Sequence, residues 1–405
     1  MPSVTYLYHS RLGSNFVCLK FIGHSLCVDS TNRVVRHLSN CIGNPFNVSA
    51  RKFSNYKETP EALSARKLSE TKEKPLHIPV MKEEVLENAG LNNESVFLDM
   101  TFGAGGHTQS ILDKYSSSKA YCLDRDPVAY QMACDLQTKY PERVVPLLGK
   151  FSELPGLLKE QDARQNYFDA ILFDFGCSSM QFDEGGRGFS VSKNGPLDMR
   201  MDGNRHPQNP TAADVLATAD EHDLYKIFKV YGEEKKARKI ARAVVEARYL
   251  FTPLQTTREL ADLISSVLVN ETRTDKLDRH THVATKIFQA LRIFVNNELN
   301  EINYGLLLAQ RYLRIGGRLI TICFHSLEDL IVKRHITGNM TDNEINMLPL
   351  QYVDNSRWHD RQSIDEFTSS HWQPLLKHVL VPSDYEVESN PRSRSAKIRA
   401  AVRVS

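Results

Sequence analysis

Apolar residues along the chain fall into short continuous runs separated by stretches of helical spacing. The runs at residues 95–100, 119–124, 144–148, 168–174 and 318–324 have the length and unbroken hydrophobicity of strands buried on both faces. Their alternation with helical stretches predicts a parallel sheet wrapped by helices, an α/β fold. Between the second and third runs, Asp126-Pro127 reads as an N-cap followed by proline at the first helical position, opening a helix to about Lys139.

The strand-helix rhythm stops between about Gly195 and Leu299. There Leu224, Ile227, Phe228 and Tyr231, then Ile240, Val244 and Ala247, recur at spacings of three and four, which predicts a helical domain inserted between the fourth and fifth strands. Residues 339–375 read as irregular and polar, and two final runs, 377–381 and 396–404, are expected to close the sheet as a hairpin. The expected organisation is a leader at 1–57, a linker at 58–76, a first part of the sheet domain at 77–194, the insertion at 195–299 and a second part of the sheet domain at 300–405.

Composition adds limits. A chain of 405 residues with 41% hydrophobic and 25% charged positions has the balance of a globular protein of roughly two to three units. No run approaches the roughly 18 apolar residues of a membrane span, so a soluble protein is expected. Lys and Arg number 51 against 49 Asp and Glu, so a polyanionic partner must be held by local patches. Two stand out. The segment from Leu224 to Arg248 carries net +5, with Lys235, Lys236, Lys239 and Arg242 among its cations. The C-terminal segment holds Arg392, Arg394, Lys397, Arg399 and Arg403 with no acid. Each reads either as a solvated face or as a phosphate-tracking surface. Seven scattered cysteines without a C-x-x-C pair speak against a disulfide framework and a structural zinc site. The first 57 residues hold seven Lys/Arg and one acid, the composition of an organelle transit peptide. Arg51-Lys52-Phe53-Ser54 resembles a mitochondrial processing site, so import into the matrix is expected.

In open α/β sheets the ligand lies beyond the carboxyl ends of the strands, so the polar residues there are the candidates. The first strand ends at Asp99 and runs into Thr101-Phe102-Gly103-Ala104-Gly105-Gly106-His107, a glycine loop that turns sharply and leaves room for a nucleotide. A dinucleotide fingerprint fails, because the third glycine position after Gly103 and Gly105 is Thr108. Asp99 beside the loop suits a cationic ligand instead, and S-adenosylmethionine carries both an amino group and a sulfonium. Asp124, ending the second strand, stands where an acid accepts from ribose hydroxyls. Phe151, after the third strand, offers an aromatic face for adenine or else belongs to the core. Asp174 ends the fourth strand, where class I methyltransferases bring their methyl acceptor, and a carboxylate there can hold an exocyclic amine in position. No G-x-S-x-G elbow supports a serine nucleophile.

Several blocks together resemble the small-subunit ribosomal RNA cytosine-N4 methyltransferase H family. They are Asp99–His107, Asp174–Asp183, Gly195-Pro196-Leu197-Asp198-Met199-Arg200-Met201, Tyr231-Gly232-Glu233-Glu234, Phe288-Gln289-Ala290-Leu291-Arg292-Ile293, Phe324-His325-Ser326-Leu327-Glu328-Asp329 and Asn390-Pro391-Arg392-Ser393-Arg394-Ser395. The resemblance implies a class I S-adenosylmethionine-dependent methyltransferase with an inserted helical domain, acting on N4 of a cytidine in small-subunit rRNA. Its cofactor positions fall on Gly105, Gly106, His107, Asp124, Phe151, Asp174 and Gln181, of which His107 and Gln181 come from the resemblance alone. Two motifs depart: the family's Asp-Leu-Gly-Val-Ser-Ser reads Asp174-Phe175-Gly176-Cys177-Ser178-Ser179, and its His-Pro-Ala-Thr-Arg reads His282-Val283-Ala284-Thr285-Lys286, where Lys286 exchanges a forked guanidinium for a point charge. His325, ending the fifth strand, either contacts the target base or bonds neighbouring backbone. Asp198 and Arg200 either pair with each other or line the base pocket. A non-catalytic factor for assembly of the small ribosomal subunit, with a vestigial pocket, is the rival reading.

Overall fold

The computed structural model describes residues 78–250, 253–269, 271, 273–274, 280–338 and 371–405, together with three short N-terminal strands. Those strands, Val17–Phe21, His24–Val28 and Val34–Val35, pair antiparallel as a small sheet of their own. The expected processing site at Arg51 to Ser54 lies outside the described residues.

From Glu73 onward the chain forms one compact unit built on a seven-stranded sheet: β1 (Val96–Asp99), β2 (Lys119–Asp124), β3 (Val144–Leu148), β4 (Phe168–Asp174), β5 (Leu313–Cys323), β6 (Trp372–Pro374) and β7 (Lys397–Arg403). Their order across the sheet is β6-β7-β5-β4-β1-β2-β3. The strands from β3 to β5 run parallel, and β7 is antiparallel to both β5 and β6. Strand order reverses between β1 and β4, so the crevice for a ligand opens at their carboxyl ends. Phe97, Leu98, Leu123, Ile171, Leu172, Phe173, Ile320 and Ile322 are all buried, which is why these strands show continuous rather than alternating hydrophobicity.

Three boundaries differ from expectation. β5 begins at Leu313, five residues earlier than its apolar run, because a register irregularity at the Gly316-Gly317 pair, with Gly316 at φ 80°, interrupts the pattern. The run 377–381 is not a strand among the described residues and contributes only the Leu380–Ile398 bridge. One side of β7 is taken by β5, and the other is paired by β6, three residues anchored by the buried Trp372 within a segment that reads as irregular. Too short to show a period, β6 is invisible to pattern reading.

Among the described residues between β4 and β5 are the helices Ala212–Thr218, Glu221–Val230, Ala237–Leu250, Thr257–Val267 and Thr285–Asn296 and two short strands. Leu224, Ile227, Phe228, Tyr231, Ile240, Val244 and Ala247 are buried as their spacing requires. All but Ala247 join the same hydrophobic cluster as Leu98, Leu123 and Phe173 of the sheet, so these helices pack on the sheet through continuous core.

Candidate functional site

The carboxyl ends of β1, β2 and β4 open onto a cavity of about 970 Å³, at the upper end of the range for small-molecule sites and large enough for a nucleoside-sized ligand together with a second reactant. Gly103, Gly106, His107, Asp124, Phe151, Asp174 and Gln181 line it, as do His325, Arg392 and Arg394.

The glycine loop forms because the chain must leave β1 and enter the helix Gly106–Lys114 within a few residues. Gly103 and Gly105 take φ of 54° and 78°, a region costly for side chains with a Cβ. A Cβ on Gly105 would also stand 2.5 Å from the Phe102 ring, whereas one on Gly103 meets nothing closer than 3.8 Å. Gly105 therefore serves the turn and does not line the cavity, while Gly103 keeps backbone open to it. The Gly103 amide donates to Asp124 Oδ2 at 2.7 Å, and the Asp126 amide donates to Asp124 Oδ1 at 2.8 Å. Burial pushes the Asp124 carboxyl up to about 6, against the pull of these two amides. Each oxygen keeps a lone pair for a hydroxyl donor.

Asp99 departs from the expected role. It is 1% exposed and lies behind the loop, taking the Thr101 amide at 3.1 Å and the Thr108 hydroxyl at 2.7 Å. Burial raises its pKa above the ordinary value, against the bond from Thr108. It braces the loop from within and does not line this cavity. The side chain of an acid one residue before a turn points either way, and the two loop donors decide its direction here.

Asp174 and His107 face each other across the opening, His107 Nε2 standing 3.7 Å from Asp174 Oδ2. Asp174 is fixed through its amide, which donates to Thr101 Oγ1 at 2.6 Å. Asp174 Oδ1 and both ring nitrogens of His107 are buried without a hydrogen-bond partner. Buried polar atoms left unpaired cost about 1–3 kcal/mol each, so a cavity that collects three of them is shaped to give them partners. Gln181 is buried in the wall, but its amide is engaged: Nε2 donates to Asp126 Oδ2 at 2.8 Å and Met201 O at 3.3 Å, and Oε1 accepts from Ser178 at 3.1 Å. It ties the β4 loop to Asp126, which also caps its helix through the Val128 amide and receives Arg187 at 2.8 Å. Phe151 is both core and wall, edge-on to Phe173 at 5.3 Å while lining the cavity.

His325 bonds neighbouring backbone, the second of its two expected parts, and also lies at the cavity. Its Nδ1 accepts the Leu327 amide at 3.2 Å, capping the helix Ser326–Thr337, and its ring borders the cavity. Burial lowers its pKa to about 4, so at neutral pH it is an uncharged ring whose remaining proton sits on Nε2, a donor rather than a base. Asp198 and Arg200 pair at 2.7 Å and neither lines the cavity. Lys235, Lys236, Lys239 and Arg242 are exposed, away from the cavity wall. Arg392 bonds Asp183 at 3.0 Å at the mouth.

Sequence reasoning passed over a buried ion cluster on the β4–β5 side. Arg292 holds Glu298 through two 2.8 Å bonds, stands 3.7 Å from Glu328 and donates to Cys177 Sγ at 3.4 Å. Burial and the neighbouring Glu298 push the Glu328 carboxyl up to about 7 despite Arg292, and burial lifts the Cys177 thiol to about 11. A guanidinium interrupting the apolar face Phe288, Leu291 and Val295 is the signal that was available. A second cluster, Asp202 between Arg125 at 3.5 Å and Lys150 at 3.6 Å, closes the β2–β3 end. Burial favours a higher pKa for Asp202, but Arg125 and Lys150 outweigh it and hold the carboxyl below its ordinary value.

Comparison with known proteins decides the class. Residues 74–404 match the model of the MraW methylase family. The chain belongs to the MraW methylase family. Among its relatives, the Drosophila melanogaster "Probable methyltransferase-like protein 15 homolog" is 53% identical over 331 residues, 81% of this chain and 93% of that protein. The Homo sapiens "12S rRNA N(4)-cytidine methyltransferase METTL15" is 48% identical over 338 residues, 81% of this chain and 83% of that protein. A Culex quinquefasciatus protein named "Putative receptor-type tyrosine-protein phosphatase mosPTP-1" is 58% identical over 328 residues, but this chain spans only 22% of its length. Superposition on a solved geranyl diphosphate methyltransferase gives a TM-score of 0.32 at 9% identity, covering 80% of this chain and 77% of that one, too slight a likeness to carry an argument.

As a MraW methylase the protein is a methyltransferase dependent on S-adenosylmethionine, and the cavity fits that cofactor. With the cofactor bound, Asp124 would offer acceptors to sugar hydroxyls, Gly103 would admit it without side-chain obstruction, and the unpaired atoms of His107 and Asp174 would be free for polar contacts.

Proposed function

We propose that this chain methylates N4 of a cytidine in the 12S rRNA of the mitochondrial small ribosomal subunit, acting in the matrix on rRNA or on a subunit precursor. The observation that carries the reading is the unpaired Asp174 carboxylate oxygen at the β1–β4 crevice, beside a sugar-binding acid on β2. The relatives whose names specify 12S rRNA N(4)-cytidine support the choice of base and atom.

S-adenosylmethionine, when bound, supplies an electrophilic methyl group. The protein's part is to position. Asp174 accepts a hydrogen bond from the exocyclic amine and so fixes the direction of the nitrogen lone pair. A strong base is not required, because the amine becomes acidic once alkylated. His325 Nε2–H donates toward the acceptor edge of the base, and Phe151 and Phe175 exclude water from one wall of the cavity. The target base must leave its stack to enter. The helical insertion and the arginines of the C-terminal segment then hold the flanking phosphates. Replacing Asp174 by Ala tests the reading: loss of N4-methylcytidine with ribosomal defects left unrescued supports an enzyme, whereas full rescue of ribosome assembly supports a scaffold.

A further inference from the structure

We infer that the outer face of the helix Ala237–Leu250 takes a single-stranded stretch of the RNA substrate, and that Tyr249 stacks on one of its unpaired bases. This rests on the reading of the protein as an RNA methyltransferase and adds where the strand lies. Ile240, Ala241, Val244 and Ala247 turn one side of the helix into the core. Lys239, Arg242, Glu246 and Tyr249 follow one another at spacings of three and four on the opposite side, all exposed, and so form one stripe. Lys235 continues the stripe toward Gly232 and Glu233, which line the cavity.

The stripe therefore leads away from the mouth of the site over 14 helical residues, about 21 Å. Its cations are held loosely enough to exchange partners. Arg242 meets Glu246 at 2.8 Å with the two side chains 70% and 52% exposed, a pair worth little in water, and Lys239 donates only to the carbonyl of Val267, at 2.7 Å. At the far end Tyr249 is 84% exposed. An aromatic ring offered to solvent at the end of a basic track is the combination by which single strands are held without sequence readout: phosphates follow the charges and a base covers the ring. A regular duplex, with its bases already stacked, has no face to offer the tyrosine.

The test uses the full chain, a fluorescent single-stranded fragment of small-subunit rRNA, and the same fragment annealed to its complement. Tyr249→Ala should weaken binding of the single strand about tenfold and raise KM for RNA with kcat unchanged, while Tyr249→Phe stays near the parent. The salt dependence of binding should be the same in Tyr249→Ala and the parent, because no charge is lost, whereas Lys235→Ala with Lys239→Ala flattens it. Equal affinity of Tyr249→Ala and parent for the single strand overturns the inference, as does an equal loss for duplex or an equal loss in Tyr249→Phe. A parent protein that binds the strand but methylates nothing removes the enzymatic reading and leaves the stacking face standing. A parent that methylates normally while Tyr249→Ala does so equally well removes only the stacking face.

Discussion

The rim of the sheet and the outer face of the insertion are both rich in charge, and they hold it in opposite ways. At the rim, Arg292 is buried and bonded to Glu298, with Glu328 3.7 Å away, and atoms of His107 and Asp174 at the cavity are buried without hydrogen-bond partners. On the insertion, Lys235, Lys236, Lys239 and Arg242 stand in solvent with weak or exchangeable partners. Preorganised, desolvated groups suit positioning of reacting atoms, and exposed cations suit a long-range hold on a polyanion that weakens with salt and is indifferent to sequence. On the proposed reading, one surface would place a base and the other would retain a strand.

Substitutions on the two surfaces should therefore fail differently. The largest effect is expected from Asp174→Ala, which should lower kcat by about 100-fold or more while RNA affinity stays near the parent value; single-turnover methylation and RNA binding measured side by side check this, and a parallel loss of both would merge the two surfaces. Arg292→Met should act on the fold, because Glu298 is then left buried without its cation, at a cost of about 3–5 kcal/mol; denaturant unfolding measures it, and an unchanged midpoint contradicts the cluster's structural role. Reversing Lys235, Lys236, Lys239 and Arg242 to Glu together should reduce RNA affinity about tenfold or more at physiological salt and flatten its salt dependence, with cofactor binding unaffected by calorimetry. Unchanged affinity would remove this face from the substrate path.

The smallest effect is a pH dependence confined to the rim. Asp124 must be ionised to accept from hydroxyls without itself donating, and its folded value of about 6 lies above the ordinary 3.8. Cofactor affinity should thus weaken as pH falls below about 6, and Asp124→Asn should be weak at every pH. His325 contributes in the other sense to stability. Its folded value of about 4 lies below the ordinary 6.5, so the native state binds fewer protons than the unfolded chain in that window. The contribution is complete above 6.5 and is lost as pH falls toward 4. A stability profile for His325→Gln that keeps the parent's acid slope would assign that slope to another group.

Much of the rim was readable from the sequence because parallel strands buried on both faces leave unbroken apolar runs, and the residue ending each run is placed by the fold at the crevice. Asp124 and Asp174 fall there for that reason. Asp99 obeys the same rule of position yet turns inward, since Thr101 and Thr108 offer it donors that periodicity does not reveal. Gly105 was legible as a turn former, but only the Phe102 ring beneath it excludes it from the wall. The short strand at Trp372 and the Arg292 cluster were hidden for different reasons: one holds too few residues to show a period, and the other places ions where the pattern of Phe288 and Leu291 reads as core.

The most direct measurement is nucleoside mass spectrometry of small-subunit rRNA incubated with S-adenosylmethionine and either the purified parent protein or its Asp174→Ala variant. N4-methylcytidine should accumulate with the parent and stay at background with the variant. Equal amounts from both, or none from a folded parent that binds the cofactor and the RNA, would contradict the assignment of this crevice as the place where the amine is methylated.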